Sequence, residues 1–163
     1  MIQIMKLTLL VFSLFLLPLT GCLMEKSEDI TSFYVKEAAL QKGYRLGETY
    51  VLQKEIFVTK GDRPDYRFTE PGDGVPTTKE WRAGVRKPQF FKVIKLLPVG
   101  TKLRVEKIIY LHASGSGVSH ATGMLRAEGV DLLINPFSIS QFVSERPYST
   151  LCVPDERFLR EEK

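Results

Sequence analysis

The chain has 163 residues, 44% of them hydrophobic, and a formal charge of +4, which suits one ordinary domain with a core of its own. So mild a positive balance argues against nucleic-acid binding, which calls for a concentrated basic patch. It fits a solubilising surface, with anionic headgroups or glycan as the partners it would also suit.

The first segment is a leader. Lys6 precedes an apolar run, Leu7 to Leu17, broken only by Thr8 and Ser13. As a helix this run reaches roughly 16 Å. A hydrocarbon core of about 30 Å needs roughly 20 apolar residues, so the run is too short to span it. Its length and flanks are those of a signal peptide. Pro18 ends the run, and Leu19-Thr20-Gly21-Cys22 follows, with small Gly21 leaving room for a peptidase.

These four residues, at this distance from the apolar run, resemble the lipobox of bacterial lipoproteins. The resemblance implies cleavage between Gly21 and Cys22, a diacylglyceryl group on the Cys22 thiol and an acylated new amino terminus. Two or three acyl chains anchor stably where one binds only marginally. The implied partner is therefore the membrane, through lipid on Cys22, and the implied location is the bacterial cell envelope. Leu23, not aspartate, follows the cysteine. In lipoproteins of enteric bacteria an aspartate there retains the protein at the inner membrane, so the resemblance implies the outer membrane, facing the periplasm. Met5-Lys6-Leu7 makes a more usual signal opening than Met1-Ile2-Gln3-Ile4, so initiation at Met5 is expected.

The expected layout is a signal peptide over 1–21, a lipidated cysteine and polar tether over 22–32, one β-rich domain over 33–154 and a charged, frayed tail over 155–163. Extended, residues 23–32 would hold the domain roughly 30 Å from the membrane. Phe33 to Lys42 reads as a short helix, with Ser32 as cap and Gly43 as stop, a strand from Phe33 being the rival reading. Tyr50 to Lys60 alternates as a strand, broken at Lys54. Gly61 to about Lys87 holds three of the nine prolines and four of the 12 glycines, and reads as a long loop with a turn at Pro71-Gly72-Asp73-Gly74.

Gln89 to Leu97 is a further strand, and Pro98 to Thr101 a turn. Lys102 to His112 is the clearest strand, with Leu103, Val105, Lys107, Ile109 and Leu111 on one face. A Gly/Ser turn over Ala113 to Ser119 leads to a hairpin partner, His120 to Ala127. Val130 to Asn135 is another strand, and Phe137 to Val143 a last strand or helical turn. The expected fold is mainly β: a small antiparallel barrel or sandwich with one short N-terminal helix and a long early loop. The order resembles an SH3-like barrel over about 90 residues. Gly47 to Leu52 would be its first strand, Gly61 to Lys87 its long loop, and Gly100-Thr101-Lys102-Leu103-Arg104-Val105 its Gly-x-x-Leu-x-Val strand opening.

Four sets of residues carry candidate chemistry. His112 and His120 flank the Gly/Ser turn and could approach across a hairpin. A zinc site wants three or four protein ligands, and only Cys152, Glu128 or Asp131 would be left to complete one. Ser114 or Ser119 with a histidine base is the sharpest hydrolase reading. Gly115-Ser116-Gly117 lacks the lysine of a phosphate loop, and Gly-x-Ser-x-Gly is absent from the sequence. No metal or cofactor is expected. Cys152, between Leu151 and Val153, reads as a buried inert thiol, with a nucleophile or an intermolecular disulfide as the alternatives. Trp81, with Tyr66, Phe68, Phe90 and Phe91, and with Arg82, Arg86 and Lys87 for charge, would make a stacking face for sugar or peptide; the plain alternative is core packing. The reading that follows is a non-catalytic binding domain for an envelope protein or for peptidoglycan. A hydrolase, or an inhibitor or immunity lipoprotein using residues 61–87 as a protruding loop, stands beside it.

Overall fold

The computed structural model describes residues 26–34, 36–61, 65–85, 91–112, 119–146 and 150–162. The leader, Gly21, Cys22, the 113–118 part of the Gly/Ser turn, Arg86, Lys87 and Phe90 lie outside the described residues. The chain is mainly β, and its centre is a long hairpin: β6 (Lys102–His112) and β7 (His120–Ala127). Both strands have the span expected from their alternation. Their ladder runs from Leu103↔Ala127 to Leu111↔His120.

One residue changes the face assignment. The register steps from Val105↔Leu125 to Lys107↔Met124, so Glu106 is an extra residue on β6, a β-bulge. Beyond a bulge the side-chain phase inverts. Leu103 and Val105 point into the core as expected, but the next core residue is Ile108, not Lys107. Without the bulge the alternation would drive the Lys107 ammonium into the apolar interior. With it, Lys107 pairs with Asp29 at 3.0 Å.

Every other strand attaches to this hairpin directly or through a neighbour. β1 (Lys26–Asp29) pairs with the far half of β6, and β2 (Thr49–Leu52) with its near half. β11 (Leu159–Glu161) adds to β2. On the other side, β8 (Leu133–Asn135) and β10 (Leu151–Pro154) share β7. β4 (Tyr66–Thr69) continues from β8 to β3 (Ile56–Lys60) and β5 (Lys92–Leu97), and β9 (Ser140–Val143) from β10. The pairs β4·β8 and β10·β7 are parallel. The result corrects the expected antiparallel barrel: it is a mixed sheet that does not close into a barrel.

Four local readings also change. Lys26 to Asp29, expected in the tether, is a strand paired to Ile109–His112. The 33–42 region contains two short turns, α1 (Thr31–Tyr34) and a 3₁₀ turn at Ala38–Lys42 that Gly43 follows. The long loop contains β4 and α2 (Thr78–Arg82), whose Thr77 and Glu80 cap each other in a capping box. The expected turn at 71–74 is there, with Gly72 and Gly74 at positive φ. The tail is not frayed. Leu159 is buried against Leu52, and Asp155 turns the chain by accepting from the Arg157 amide at 2.9 Å.

The core packs Tyr50, Leu52, Ile56, Val58, Phe68, Leu103, Val105, Leu125 and Ile134 between the sheet segments. Tyr44 stands edge-on to Tyr50 and hydrogen-bonds the Ser140 hydroxyl at 2.7 Å. Gly123 is where Tyr44 crosses β7: a Cβ there would lie 2.7 Å from Tyr44 Cβ and 3.0 Å from Val105 Cγ1. Gly123→Ala should cost about 1–3 kcal/mol by overpacking, read as a lower urea midpoint at unchanged slope. Leu159→Ala should cost about 2–5 kcal/mol, whereas a frayed tail would tolerate it.

Candidate functional site

The aromatic face expected around Trp81 is divided by the sheet. Phe57 and Val58 are neighbours on β3 and so point to opposite faces. Val58 stands opposite Phe68 and belongs to the core. Phe57 stands opposite Thr69, on the other face, and Trp81 rests edge-on upon it with ring centroids 5.5 Å apart. Phe68 is therefore buried in the core, and Tyr66 packs beside it with the Lys60 ammonium 5.3 Å from its ring centre. Neither can share a ligand with Trp81. Phe91 lies over Gly61 and is partly exposed.

What remains together is the pair Trp81 and Arg82 on α2. Trp81 is 36% exposed, and Arg82 forms an ion pair with Glu55. The turn that carries them is held firmly. The Glu80 amide donates to the Thr77 hydroxyl at 3.3 Å, and the Thr77 amide donates to the Glu80 carboxylate at 3.0 Å. Buried Val75 and the Phe57 contact pin its base. The second face of β3 and β4 is closed by a buried hydrogen bond between the Thr59 and Thr69 hydroxyls, 2.8 Å apart.

The histidine candidates diverge. Leu111 stands opposite His120, so His112, the next residue, projects to the other face. His112 is exposed, with Nε2 3.3 Å from the Glu28 carboxylate and its ring edge-on to Tyr110. His120 is buried against Phe142 and Phe137. Asp131 and Glu106 both pair with Arg126. Among the described residues no three His, Cys, Asp or Glu side chains group to hold a metal. Cys152 is buried, and burial pushes its thiol up to about 12 against a small opposing effect of the Thr122 hydroxyl.

An open cleft of about 740 Å³ lies where β2, β10 and β11 meet the 3₁₀ turn. Lys42, Arg45, Arg160, Glu156 and Glu161 line it, over a floor of Tyr50, Val153 and Leu159. Its volume is in the range of small-ligand sites. Its charges are largely matched: Arg45 binds Glu161 at 2.6 Å and Lys42 binds Glu145 at 2.7 Å. Burial raises the Tyr50 hydroxyl above its ordinary value. Such a cleft presents polar side chains at its rim that can hydrogen-bond a ligand.

Sequence reasoning did not find this cleft, because Arg45, Tyr50 and Arg160 meet only through the β2–β11 pairing. It also did not find the cluster of Phe137, Phe142 and His120, which β9 and the turn before it bring to one place. The chain matches no family model, no curated protein and no solved structure.

Two outcomes check this description. Cys152 should resist a thiol reagent at pH 8 in the folded protein and react fully in denaturant, read by mass mapping of its peptide. The Arg157 guanidinium and amide hold the Asp155 carboxyl below its ordinary 3.8. A depressed carboxylate stabilises the fold above the unfolded value, and that contribution is lost as pH falls through the folded one. Asp155→Asn should therefore lower the unfolding midpoint at pH 7, and its gap from the parent should shrink as pH drops below about 4.

Proposed function

We propose that this chain is a bacterial envelope lipoprotein, anchored through lipid on Cys22, whose β-rich domain binds an envelope protein or peptidoglycan and has no catalytic task. The observation that carries the anchoring is the Leu19-Thr20-Gly21-Cys22 run directly after a short apolar leader. Its outer-membrane placement, facing the periplasm, rests on Leu23.

The binding task rests on two surfaces. One is the capped α2 turn, which presents Trp81 and Arg82 on a rigid base. The other is the open, charge-matched cleft by β11. An amphipathic aromatic ring beside a guanidinium suits either a sugar ring or a peptide. The inhibitor or immunity reading draws on the same turn. A blocking protein needs a pre-organised protrusion, because ordering a loop on binding costs affinity. Residues 81–85 are exposed on such a base.

Cross-linking in living cells on the anchored protein, followed by mass spectrometry, tests this reading. A dominant protein partner, lost in a folded Trp81→Ala variant, is the expected result. Cross-links unchanged by Trp81→Ala would move the binding task from α2 to the cleft. Cys22→Ser should leave an unlipidated precursor that no longer partitions with membranes.

A further inference from the structure

We infer that the exposed aromatic pair Phe137 and Phe142 is a docking face for the bilayer in which Cys22 is anchored. The inference rests on the lipoprotein reading above. Phe137 is 46% and Phe142 45% exposed. Their ring centroids lie 5.3 Å apart, and both rings pack against buried His120. Single exposed apolar side chains need no explanation, but large rings held together at the surface mark an interaction site. Here the side facing the protein is already built and the outer side is bare.

The position of this pair relative to the anchor identifies the occupant. Lys26 is the first residue of β1 and stands opposite His112 on β6. Leu111 of β6 stands opposite His120 of β7. The start of β1, the end of β6 and the start of β7 thus share one end of the sheet. The Phe142 ring is 5.2 Å from the His120 ring, at that same end. Phe142 lies on β9, which reaches β7 through β10, and its ring meets the His120 ring at that end of the sheet.

The chain length closes the argument. Residues 23–25 are all that separate Cys22 from Lys26, and whatever conformation they take they span at most about 14 Å. Since β1 already absorbs Lys26 to Asp29, the domain cannot stand off by the roughly 30 Å that a free ten-residue tether would allow. Lipid on Cys22 therefore holds this end of the sheet at the headgroups. Phenylalanine rings lower their free energy by entering the headgroup–acyl boundary. The acyl chains supply the affinity, and the aromatic pair sets the orientation. Docked this way, the domain has one preferred face toward the bilayer instead of swinging on a leash.

The test uses the full chain, expressed with its leader, purified with its lipid and placed in phosphatidylethanolamine–phosphatidylglycerol vesicles. Trp81, the single tryptophan, is replaced by Phe, and Phe137→Trp and Phe142→Trp are then made separately. One position still reports if the other variant does not fold. With brominated acyl chains, emission at either position should fall about two-fold relative to ordinary vesicles, as expected for a ring at the headgroup–acyl boundary. Emission unmoved by bromination at both positions, on folded protein that carries lipid and floats with the vesicles, overturns the proposal and leaves the patch to a protein partner. A mature protein whose mass shows no lipid on Cys22 overturns the anchoring reading, and this inference with it.

Discussion

The ladder between β6 and β7, with its bulge at Glu106, is the constraint on which the other strands depend. Strands β8 and β10 share the outer edge of β7, with β4, β3, β5 and β9 extending from them, and β2 and β1 divide the outer edge of β6. An uninterrupted ladder of this length would commit the whole of β6 to one alternation. That alternation would bury either Lys107 or the carboxylate of Glu106, and an unpaired buried charge is among the costliest features a core can hold. The extra residue resolves the conflict locally. It lets Leu103 and Val105 face the core at one end and Ile108 at the other, while Lys107 reaches Asp29.

The same economy of faces explains the aromatic residues. β3 and β4 are covered on both sides, so their side chains serve two separate clusters. Val58 and Phe68 belong to the main core, and Phe57, with Trp81 upon it, to a smaller one under α2. Thr59 and Thr69 are polar residues buried on that second face, and they satisfy one another by a hydrogen bond instead of reaching solvent. What looked in linear order like one aromatic surface is therefore two layers. Trp81 with Arg82 lies on the outer one.

The outer face of β2, β6 and β7 is different again. Lys102, Arg104, Glu106, Arg126 and Glu128 stand there with Glu162, and Arg104 lies directly opposite Arg126. Like charges facing across a ladder destabilise it. Glu106 and Asp131 both bind Arg126 and offset that repulsion. Exposed pairs of this kind add little stability. Their effect is to let like charges stand on one broad sheet face without mutual repulsion.

How much of this was legible in the sequence depended on the range of the interaction. The resemblance of residues 19–22 to a lipobox is a matter of a local string and its spacing from an apolar run, and it falls outside the described residues. The spans of β6 and β7, the turns at 71–74 and 98–101 and the pairing across the hairpin were also legible, since alternation and glycine are local signals. The polar stretch before Phe33 and the charged end after Asp155 looked unstructured because they lack apolar alternation. Backbone pairing to β6 and β2 made them strands all the same, a gain that only a waiting edge can supply. The bulge, the parallel pairings, the divergence of His112 from His120 and the separation of Trp81 from Tyr66 and Phe68 were decided by the tertiary structure alone. Each depends on which strand lies beside which, and a one-residue shift of register exchanges the faces of a strand without altering a single letter of its sequence.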